Sequence, residues 1–315
     1  MPLLKLLYCV GLVITTSCST SPSFNPQVQK CPPPFSPIIS LDIHKFYSDK
    51  NNSIIDEKLK AEYDLIKKPL NNFLNKMVKM ADAFFYSDKN EEGICANTWI
   101  YSWAKQKALL GDMKTEQAYY ERKWMLSGIT LAYAKIRSLA TKEEKIVIEE
   151  WLSTLAQLTM QHSQEVNRSK NNHYYWEGLA VGAVGRMTNN KILLDWSEHV
   201  FDQAMNDVGK EGELPLEVVR GQRALHYHLF ASAPLVMLAS ILHKDSANLT
   251  RLVSFTFSSI KNSSVISKMA GVPQEKPLNH NMAWLEIYLR LYPNKEIEQF
   301  LTPRRPLAYS TLGGN

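Results

Sequence analysis

The sequence predicts an all-α fold, specifically an incomplete α/α toroid made of antiparallel helical hairpins. From residue 56 onward, apolar residues recur at intervals of three and four, which is the period of a helix with one buried face. No comparable stretch alternates with a period of two, so a β-sheet is not expected. The polar connections between the periodic stretches are short, which favours antiparallel neighbours packed in sequence. A helical bundle or solenoid is the competing architecture, although no fixed-period repeat is present.

About ten helices are expected from this pattern. The apolar stripes that define the clearest ones lie at 55–66, 70–84, 99–110, 124–139, 148–158, 176–184, 193–204, 224–242 and 282–291. Pro69 separates the first two stripes, and we expect a break or kink there because proline has no N–H to donate to the helix. The stripes fill a single helical domain at 41–315, which follows an extended arm at 18–40 that is rich in Ser, Pro and Asn.

Residues 1–17 predict a secretory signal. Lys5 precedes an apolar run at 6–14, which is too short to span a membrane and is followed by small polar residues. Cys18 then follows in a context that resembles the lipobox of bacterial lipoproteins, which would give a lipid anchor. The alternative is cleavage between Ser17 and Thr20 and release into the periplasm. The expected location is the periplasm in both cases, since no later segment has the apolar length predicted for a membrane span.

The cysteines favour one disulfide. Cys9 is removed with the signal, and Cys18 is either lipidated or lost. Cys31 and Cys95 remain in a chain bound for an oxidising compartment, where a disulfide between them is the natural expectation. It would tie the arm to the helical domain. Two unpaired thiols are the alternative.

The charge of the chain gives little information about its ligand. The formal net charge of +5 is modest, and no block of Lys or Arg indicates nucleic-acid binding. A mild positive balance is compatible with a polyanionic ligand. We expect a monomer that binds no nucleic acid, and the charge alone does not identify a ligand.

Two segments carry the side chains with the most chemistry. The candidate residues are Asn171, Asn172, His173, Tyr175 and Trp176 in the first segment, and Arg220, Arg223, Tyr227 and His228 in the second. Arg and Asn can bind a carboxylate, and His and Tyr can move a proton beside it. These groups suit β-elimination on a uronic acid sugar, in which the carboxylate is neutralised, the C5 proton is removed and O4 is protonated as it leaves.

The same residues also fit a structural interpretation. Arg220, Arg223 and Tyr227 follow one another at spacings of three and four, so they would share one face of a helix, and such a stripe is often a solvated face or an ion-pair anchor. Asn172 and His173 at the start of an aromatic helix could be a cap with a packed histidine. Residue types alone leave both interpretations open.

Competing chemistries are less well supported. Hydrolysis of a sugar chain normally needs two carboxylates, and Pro215 disrupts the helical spacing of Glu211, Glu213 and Glu217, which are expected to be loop and cap acids. His226 and His228 would lie on different helix faces with no other ligand at suitable spacing. We therefore expect no metal and no cofactor.

Two polar loops could cover a groove. One lies at 44–52, before the first helix, and the other at 263–279 contains Gly271, Pro273 and Pro277. A solvated connector is an equally good interpretation of either composition.

Across most of the predicted mature chain, the sequence resembles the alginate lyases of polysaccharide lyase family 5, the periplasmic poly(β-D-mannuronate) lyases. The motifs that carry the resemblance are Cys31-Pro-Pro-Pro-Phe35, Cys95-Ala-Asn-Thr-Trp99, Ser102-Trp103-Ala104, Arg122-Lys123-Trp124, Asn171-Asn172-His173-Tyr174-Tyr175-Trp176, Gln222-Arg223-Ala224-Leu225-His226-Tyr227-His228, Pro234-Leu235-Val236-Met237, Ala283-Trp284-Leu285-Glu286 and Leu312-Gly313-Gly314. Each motif alone is weak evidence. Their occurrence together and in this order makes the resemblance strong.

The resemblance implies an α/α toroid with a deep groove and no metal requirement. It implies that Asn172, His173 and Arg220 bind and neutralise the substrate carboxylate. Tyr227 matches the tyrosine that acts as catalytic acid and, in most schemes, also as base. Lys45 matches a lysine in a lid loop that closes over the substrate. The matched cysteines support the Cys31–Cys95 disulfide.

The chain also departs from the family pattern. The family commonly has Asn and Tyr where this chain has Leu229 and Phe230, an Asn before the acid at Glu217, and a basic residue at Gly221. None of these differences removes a proposed catalytic residue. They alter the expected groove lining, so polyglucuronate or another polyuronate is an alternative substrate to mannuronate. A non-catalytic polysaccharide-binding lipoprotein is a further alternative.

Overall fold

The computed structural model describes residues 31–314, and within them the chain forms twelve α-helices and no β-strand. The helices are α1 (Glu57–Ser87), α2 (Asn90–Lys105), α3 (Glu116–Ile136), α4 (Lys142–Glu165), α5 (Asn172–Thr188), α6 (Lys191–Asp207), α7 (Pro215–Val218), α8 (Ala224–Leu242), α9 (Ala247–Lys261), α10 (Ser264–Ala270), α11 (Trp284–Leu291) and α12 (Lys295–Leu301). The all-α prediction is confirmed. The predicted signal and Cys18 lie outside the described residues.

The first two predicted stripes form a single helix. α1 begins after Asp56, whose carboxylate accepts hydrogen bonds of 3.0 Å from the N–H groups of Lys58 and Leu59, and it continues through Pro69. The predicted break at Pro69 is therefore wrong. Residues on both sides of the proline belong to one buried apolar face, which includes Leu70 at its centre. Burial of this face outweighs one missing backbone hydrogen bond.

Helices that are adjacent in sequence pack against one another, as expected for a toroid of hairpins. α1 packs on α2 and α3, α3 on α4 and α5, and α8 on α9 and α11. α5 lies at the centre and contacts α3, α4, α6 and α8. Its residues belong to both of the large hydrophobic clusters of the domain. A helix with neighbours on every side must be apolar on every side, which is what the sequence of α5 shows.

Two glycines allow α5 to approach its neighbours closely. A Cβ atom at Gly178 would lie 2.6 Å from Cγ1 of Val200 on α6, and one at Gly182 would lie 2.9 Å from Cδ1 of Leu238 on α8. Neither distance can accommodate a side chain unless the neighbouring side chain or its helix shifts. The position of the N-terminal end of α5 therefore depends on these contacts, and that end carries predicted site residues.

The N-terminal arm is attached to the helical domain at several points. Cys31 forms the predicted disulfide with Cys95 on α2. The indole N–H groups of Trp99 and Trp103 donate to the carbonyl oxygens of Pro32 and Phe35, at 2.7 and 2.8 Å. The described part of the arm therefore packs on the domain rather than extending away from it.

Removal of the disulfide should destabilise the fold without affecting the groove. The bond closes a loop of 64 residues, and loss of such a constraint lowers the free energy of unfolding by about 2–4 kcal/mol. We expect the double variant Cys31→Ser/Cys95→Ser to unfold at a lower denaturant concentration than the oxidised wild type. Reduced wild-type protein is the control and should match the variant. Equal midpoints for the variant and the oxidised protein would contradict this prediction.

Within residues 31–314, one helical stretch is long and apolar enough to cross a membrane by composition alone. It is Gly221–Leu242, which contains α8, and 67% of its most apolar window is buried inside the domain. Its apolar character is explained by packing, because α8 contacts α5, α6, α9 and α11.

Candidate active site

A groove with a volume of about 920 Å³ opens beside the N-terminal end of α5. Its lining comes from the loop at 44–52, from α1 and α3, from the starts of α5 and α8, and from the segment at 308–311. Of the predicted site residues, Lys45, Asn171, His173, Arg220, Arg223 and Tyr227 line it. Side chains as far apart in the sequence as His44 and Thr311 therefore line one cavity.

Arg220, Arg223 and Tyr227 meet without forming one helical face. Arg220 precedes a short 3₁₀ turn at Gly221–Arg223, and α8 begins only at Ala224. Gly221 has a φ of +57°, a left-handed conformation that glycine adopts without strain. The predicted helical spacing is therefore wrong, but the turn still brings the groups together. The guanidinium carbons of Arg220 and Arg223 lie 4.7 and 5.8 Å from the centre of the Tyr227 ring.

Tyr227 is protonated in this arrangement. Its hydroxyl donates to the carbonyl of Asn52 at 3.1 Å and hydrogen bonds to the side chain of Tyr47. Burial and the contact with Tyr47 raise the pKa of the Tyr227 phenol well above its usual value, while Arg220 and Arg223 offset part of the increase. The phenol is thus ready to donate a proton.

Asn172 lies behind the groove rather than in it. The residue is fully buried, and its backbone and side-chain N–H groups donate to one carboxylate oxygen of Glu217 at 2.8 and 2.9 Å. The other oxygen of Glu217 lies 3.4 Å from Nε of Arg220. Asn172 thus holds the acid that orients Arg220, and its contact with a substrate carboxylate stays a prediction.

Glu217 is a functional residue that the sequence interpretation missed. It was expected to be a loop or cap acid, yet it is fully buried on α7 beside Arg220. Burial raises the pKa of its carboxyl, and the charge of Arg220 and the hydrogen bonds from Asn172 counter part of that shift. The spacing of three residues between Glu217 and Arg220 was the available signal, because such pairs meet within one turn.

His173 faces the groove as an uncharged imidazole. Its ring stacks on Tyr120 with ring centres 3.7 Å apart, and its Nδ1 is buried without a partner. Burial, followed by the charges of Lys123, Arg168 and Arg220, lowers the pKa of His173 well below its usual value. A neutral ring can donate one hydrogen bond to a carboxylate but adds no positive charge, so Arg220 is the cation at this point of the groove.

A buried ion-pair network lies behind His173. Nζ of Lys123 on α3 donates to the backbone carbonyl of His173 at 2.9 Å and to Glu177 at 3.1 Å, and Arg168 also pairs with Glu177. Lys123 is 1% exposed, and its Nζ lies 4.2 Å from the centre of the Tyr120 ring. Burial lowers the pKa of Lys123 to about 8, with Glu177 acting in the opposite direction.

This network predicts that the pKa of His173 changes when Lys123 is replaced. The groups that face the ring are Tyr120 and Lys123 from α3, Arg168 from the segment before α5, and Arg220 from the turn before α8. Lys123→Gln removes one cation and retains a hydrogen-bond donor, so we expect the pKa of His173 to rise, as followed by NMR of labelled histidine. Arg122→Gln is the matched control, since Arg122 is equally buried but donates to Leu158 instead. An unchanged His173 titration in Lys123→Gln would contradict the prediction.

The loop at 44–52, called the lid loop from here on, covers the catalytic candidates. Tyr47 pairs with Ile55 in a short bridge, and the carboxylate of Asp49 accepts hydrogen bonds of 2.7 Å from the backbone N–H groups of Ser53 and Ile54. These contacts shape the tip of the loop. Lys45 lies at its base as an exposed cation that lines the groove.

Backbone carbonyls at the tip of the lid loop accept hydrogen bonds from side chains of the site. The backbone carbonyl of Asn51 accepts from Arg220 at 2.9 Å, and that of Asn52 accepts from Tyr227. The next carbonyl, of Ser53, accepts from Gln222 at 3.3 Å. A substrate oxygen that binds Arg220 and Tyr227 must therefore compete with backbone carbonyls of the loop.

The second loop that could have covered the groove, at 263–279, supports the site from outside. Much of it is the helix α10, and the side chain of Gln274 accepts from the N–H of Leu225 at 2.8 Å and donates to the carbonyl of Gly221 at 3.0 Å. These bonds hold the turn between Arg220 and α8. From the sequence, a lid was one interpretation of this segment. In the structure the segment instead supports the turn before α8.

Three residues that were predicted to bind substrate are buried in the wall of the groove. Tyr175 donates to Asp207 at 3.2 Å, and Trp176 donates from its indole to the carbonyl of Phe230 at 3.0 Å. Nε2 of His228 accepts from the N–H of Leu214 at 2.9 Å, and burial lowers the pKa of its ring to about 4. None of the three lines the groove, because each already has its partner inside the protein.

Aromatic side chains that the sequence interpretation did not single out form part of the lining. They are Phe46, Tyr47, Tyr63, Tyr120, Trp124, Phe230 and Tyr309. Phe230 is one of the positions that depart from the family pattern. Flat aromatic faces can pack against the apolar faces of sugar rings while the cations hold the carboxylates.

The acids of the lining do not form a hydrolytic pair. Among the described residues that line the groove, the carboxylates are Asp64 and Glu116. Asp64 pairs with Lys60, and Glu116 pairs with Arg168 at 2.8 Å. Glu211, Glu213 and Glu217 do not line the groove. The arrangement suits binding and proton transfer at a carboxylate-bearing substrate rather than hydrolysis by two acids.

Comparison with known proteins agrees with this geometry. The model of the alginate lyase family matches residues 40–265. A polysaccharide lyase of Stenotrophomonas maltophilia (strain K279a) is 31% identical over 295 residues, covering 90% of this chain and 88% of that protein. An alginate lyase of Pseudomonas fluorescens (strain SBW25) is 29% identical over 279 residues, covering 83% and 75%.

Solved structures support the fold. A variant of alginate lyase A1-III complexed with a tetrasaccharide superimposes with a TM-score of 0.80 at 21% identity, covering 90% of this chain and 84% of that one. The crystal structure of alginate lyase A1-III from Sphingomonas species A1 gives a TM-score of 0.76. The α/α toroid prediction is confirmed, and the protein is a polysaccharide lyase of this helical class. More particularly, the chain belongs to the alginate lyase family.

Proposed function

We propose that the protein cleaves mannuronate-containing alginate by β-elimination and leaves a 4,5-unsaturated uronate at one new end. The observation that carries the proposal is the meeting of Arg220, His173 and Tyr227 in one groove that lacks a free pair of carboxylates. The names of the relatives support alginate as the substrate. The preference for mannuronate rests on the motif resemblance.

Arg220 starts the proposed reaction by binding the uronate carboxylate. The residue is 7% exposed, and its Nε lies 3.4 Å from Oε2 of Glu217, which holds the guanidinium at the groove. A bound carboxylate that shares its charge with this cation can accept electron density from C5, which makes the C5 proton removable. His173 adds a neutral hydrogen bond to the same group.

Tyr227 then moves the proton. Once the phenol has released its own proton to solvent, its oxygen takes the proton from C5, the C–H electrons form the C4–C5 double bond, and the C4–O4 bond breaks with its electron pair left on O4. The departing oxygen receives the proton back from Tyr227 and becomes the hydroxyl of the new reducing end. In mannuronate the C5 proton and O4 lie on the same side of the ring, so a single residue can reach both.

Displacement of the lid tip prepares Tyr227 for the first of these steps. The carbonyl of Asn52 and the side chain of Tyr47 both favour the protonated phenol, and both belong to the lid loop. Arg220 and Arg223 favour the phenolate and are not part of the loop. When substrate replaces the loop carbonyls, the equilibrium between the phenol and the phenolate of Tyr227 therefore shifts toward the phenolate, which can accept a proton.

One assay tests the proposed function. Purified protein is incubated with polymannuronate, polyguluronate and polyglucuronate, and the ultraviolet absorbance of the unsaturated product is followed. We expect the fastest increase with polymannuronate. A faster increase with polyglucuronate would identify the alternative substrate. Cleavage without absorbance would indicate a hydrolase, and binding without cleavage would indicate a non-catalytic binding protein.

We further infer that the mature chain works in the periplasm as a monomer. The Cys31–Cys95 disulfide supports an oxidising compartment. Mass spectrometry of the mature N-terminus will distinguish a lipidated Cys18 from simple cleavage, and size-exclusion chromatography will test the oligomeric state. Recovery of the protein from the cytoplasm with residues 1–17 intact would overturn the periplasmic assignment.

A further inference from the structure

A second depression, outside the groove described above, has a volume of about 700 Å³. It is formed by two chain segments, 276–280 and 304–308. Its lining residues are Lys276, Pro277, Leu278, Asn279, His280, Arg304, Pro306, Leu307 and Ala308. We call it the distal depression.

The distal depression borders the active-site groove. His280 and Ala308 line both cavities. Both segments also run on into the lining of the groove. Asn281 follows the first segment, residues 309–311 follow the second, and all of them line the groove. A polymer that leaves the groove over His280 is therefore next to the distal depression.

The chemistry of the distal depression suits a polyanion. Lys276 and Arg304 are cationic, and no Asp or Glu is among the described residues that line the depression. The guanidinium of Arg304 is held in place, because its carbon lies 3.8 Å from the centre of the Phe300 ring and one N–H donates to the carbonyl of Phe300 at 2.6 Å. Leu278 is 62% exposed and offers an apolar surface between the charges.

We propose that the distal depression binds further uronate residues of the polymer whose cleavage takes place beside Tyr227. The carboxylates of these residues pair with Lys276 and Arg304, and the faces of their sugar rings cover Leu278 and the neighbouring prolines. This inference rests on the proposed function. Its consequence is that long chains bind more tightly than short ones, while the chemical step is the same for both.

The test uses the variant Lys276→Gln/Arg304→Gln and substrates of two lengths. For long polymannuronate we expect KM to rise roughly three- to tenfold, as two exposed ion pairs allow, with kcat close to that of the wild type. For a trimer, which is too short to span both cavities, KM should change little. The difference for the polymer should shrink at high salt, because exposed charges are then screened.

A matched control separates this site from a general charge effect. Lys79→Gln/Lys142→Gln removes the same charge from exposed positions that line neither cavity, and it should leave KM for the polymer unchanged. An unchanged polymer KM in the first variant, an equal rise for the trimer, or an equal effect of the control would each overturn the distal site. Absence of unsaturated product from wild-type protein with either substrate would instead remove the proposed function itself.

Discussion

Tyr227→Phe is expected to abolish turnover while leaving the fold intact. The substitution removes one hydroxyl from a residue that is 6% exposed, and the ring can keep its packing against Arg220. General acid and base catalysis by one group contributes about 10²- to 10⁴-fold to a rate, and Tyr227 is proposed to act in both roles. We therefore expect kcat to fall by at least about a thousandfold. The measurement is the initial rate of formation of unsaturated product on polymannuronate.

Tyr175→Phe is the matched control for this experiment. It removes a buried tyrosine hydroxyl from a helix beside the groove, and that hydroxyl contacts Asp207 rather than the groove. We expect it to keep nearly full activity. Both variants should retain the circular dichroism of the wild type, and Tyr227→Phe should still bind polymer. Activity of Tyr227→Phe near that of wild type would exclude the proposed role, and His173 would then be the next candidate for proton transfer.

The helices were predictable because one physical cause produces both the sequence pattern and the structure. Apolar residues recur at helical spacing where one face is buried, so most of the helical stripes could be located from sequence. For the break that was considered at Pro69, the local sequence was misleading. Its local cost is fixed by proline itself, but the compensating burial depends on helices that are distant in sequence.

The site was only partly predictable because the direction in which a side chain points is harder to infer than the types of residue that are present. α5 is buried on every side, so its sequence could not indicate which of its first residues would face the groove. Asn171 and His173 line the groove, whereas Asn172, Tyr175 and Trp176 face the interior. The contact between Asn51 and Arg220 joins residues 169 positions apart, and polar composition alone cannot reveal such a contact.

Arg220→Gln is expected to have the second large effect, acting on the chemical step as well as on binding. It removes the cation proposed to bind the substrate carboxylate and leaves Glu217 fully buried without its charged partner. Removal of one group that stabilises developing negative charge typically lowers kcat by about 10²- to 10³-fold. Arg220→Lys retains the charge but loses the planar fork, so its activity should lie between those of the wild type and Arg220→Gln.

Arg223→Gln shows whether position matters as well as charge. Arg223 is 7% exposed, as Arg220 is, but it pairs with Glu275 at 3.6 Å and lies farther from the Tyr227 ring. We expect it to raise KM and to lower kcat much less than Arg220→Gln does, with thermal melting used to confirm that both variants are folded. Equal losses of kcat in the two variants would mean that the groove needs positive charge in general. A selective loss in Arg220→Gln would mean that the buried contact from Asn172 through Glu217 holds one particular guanidinium where the carboxylate binds.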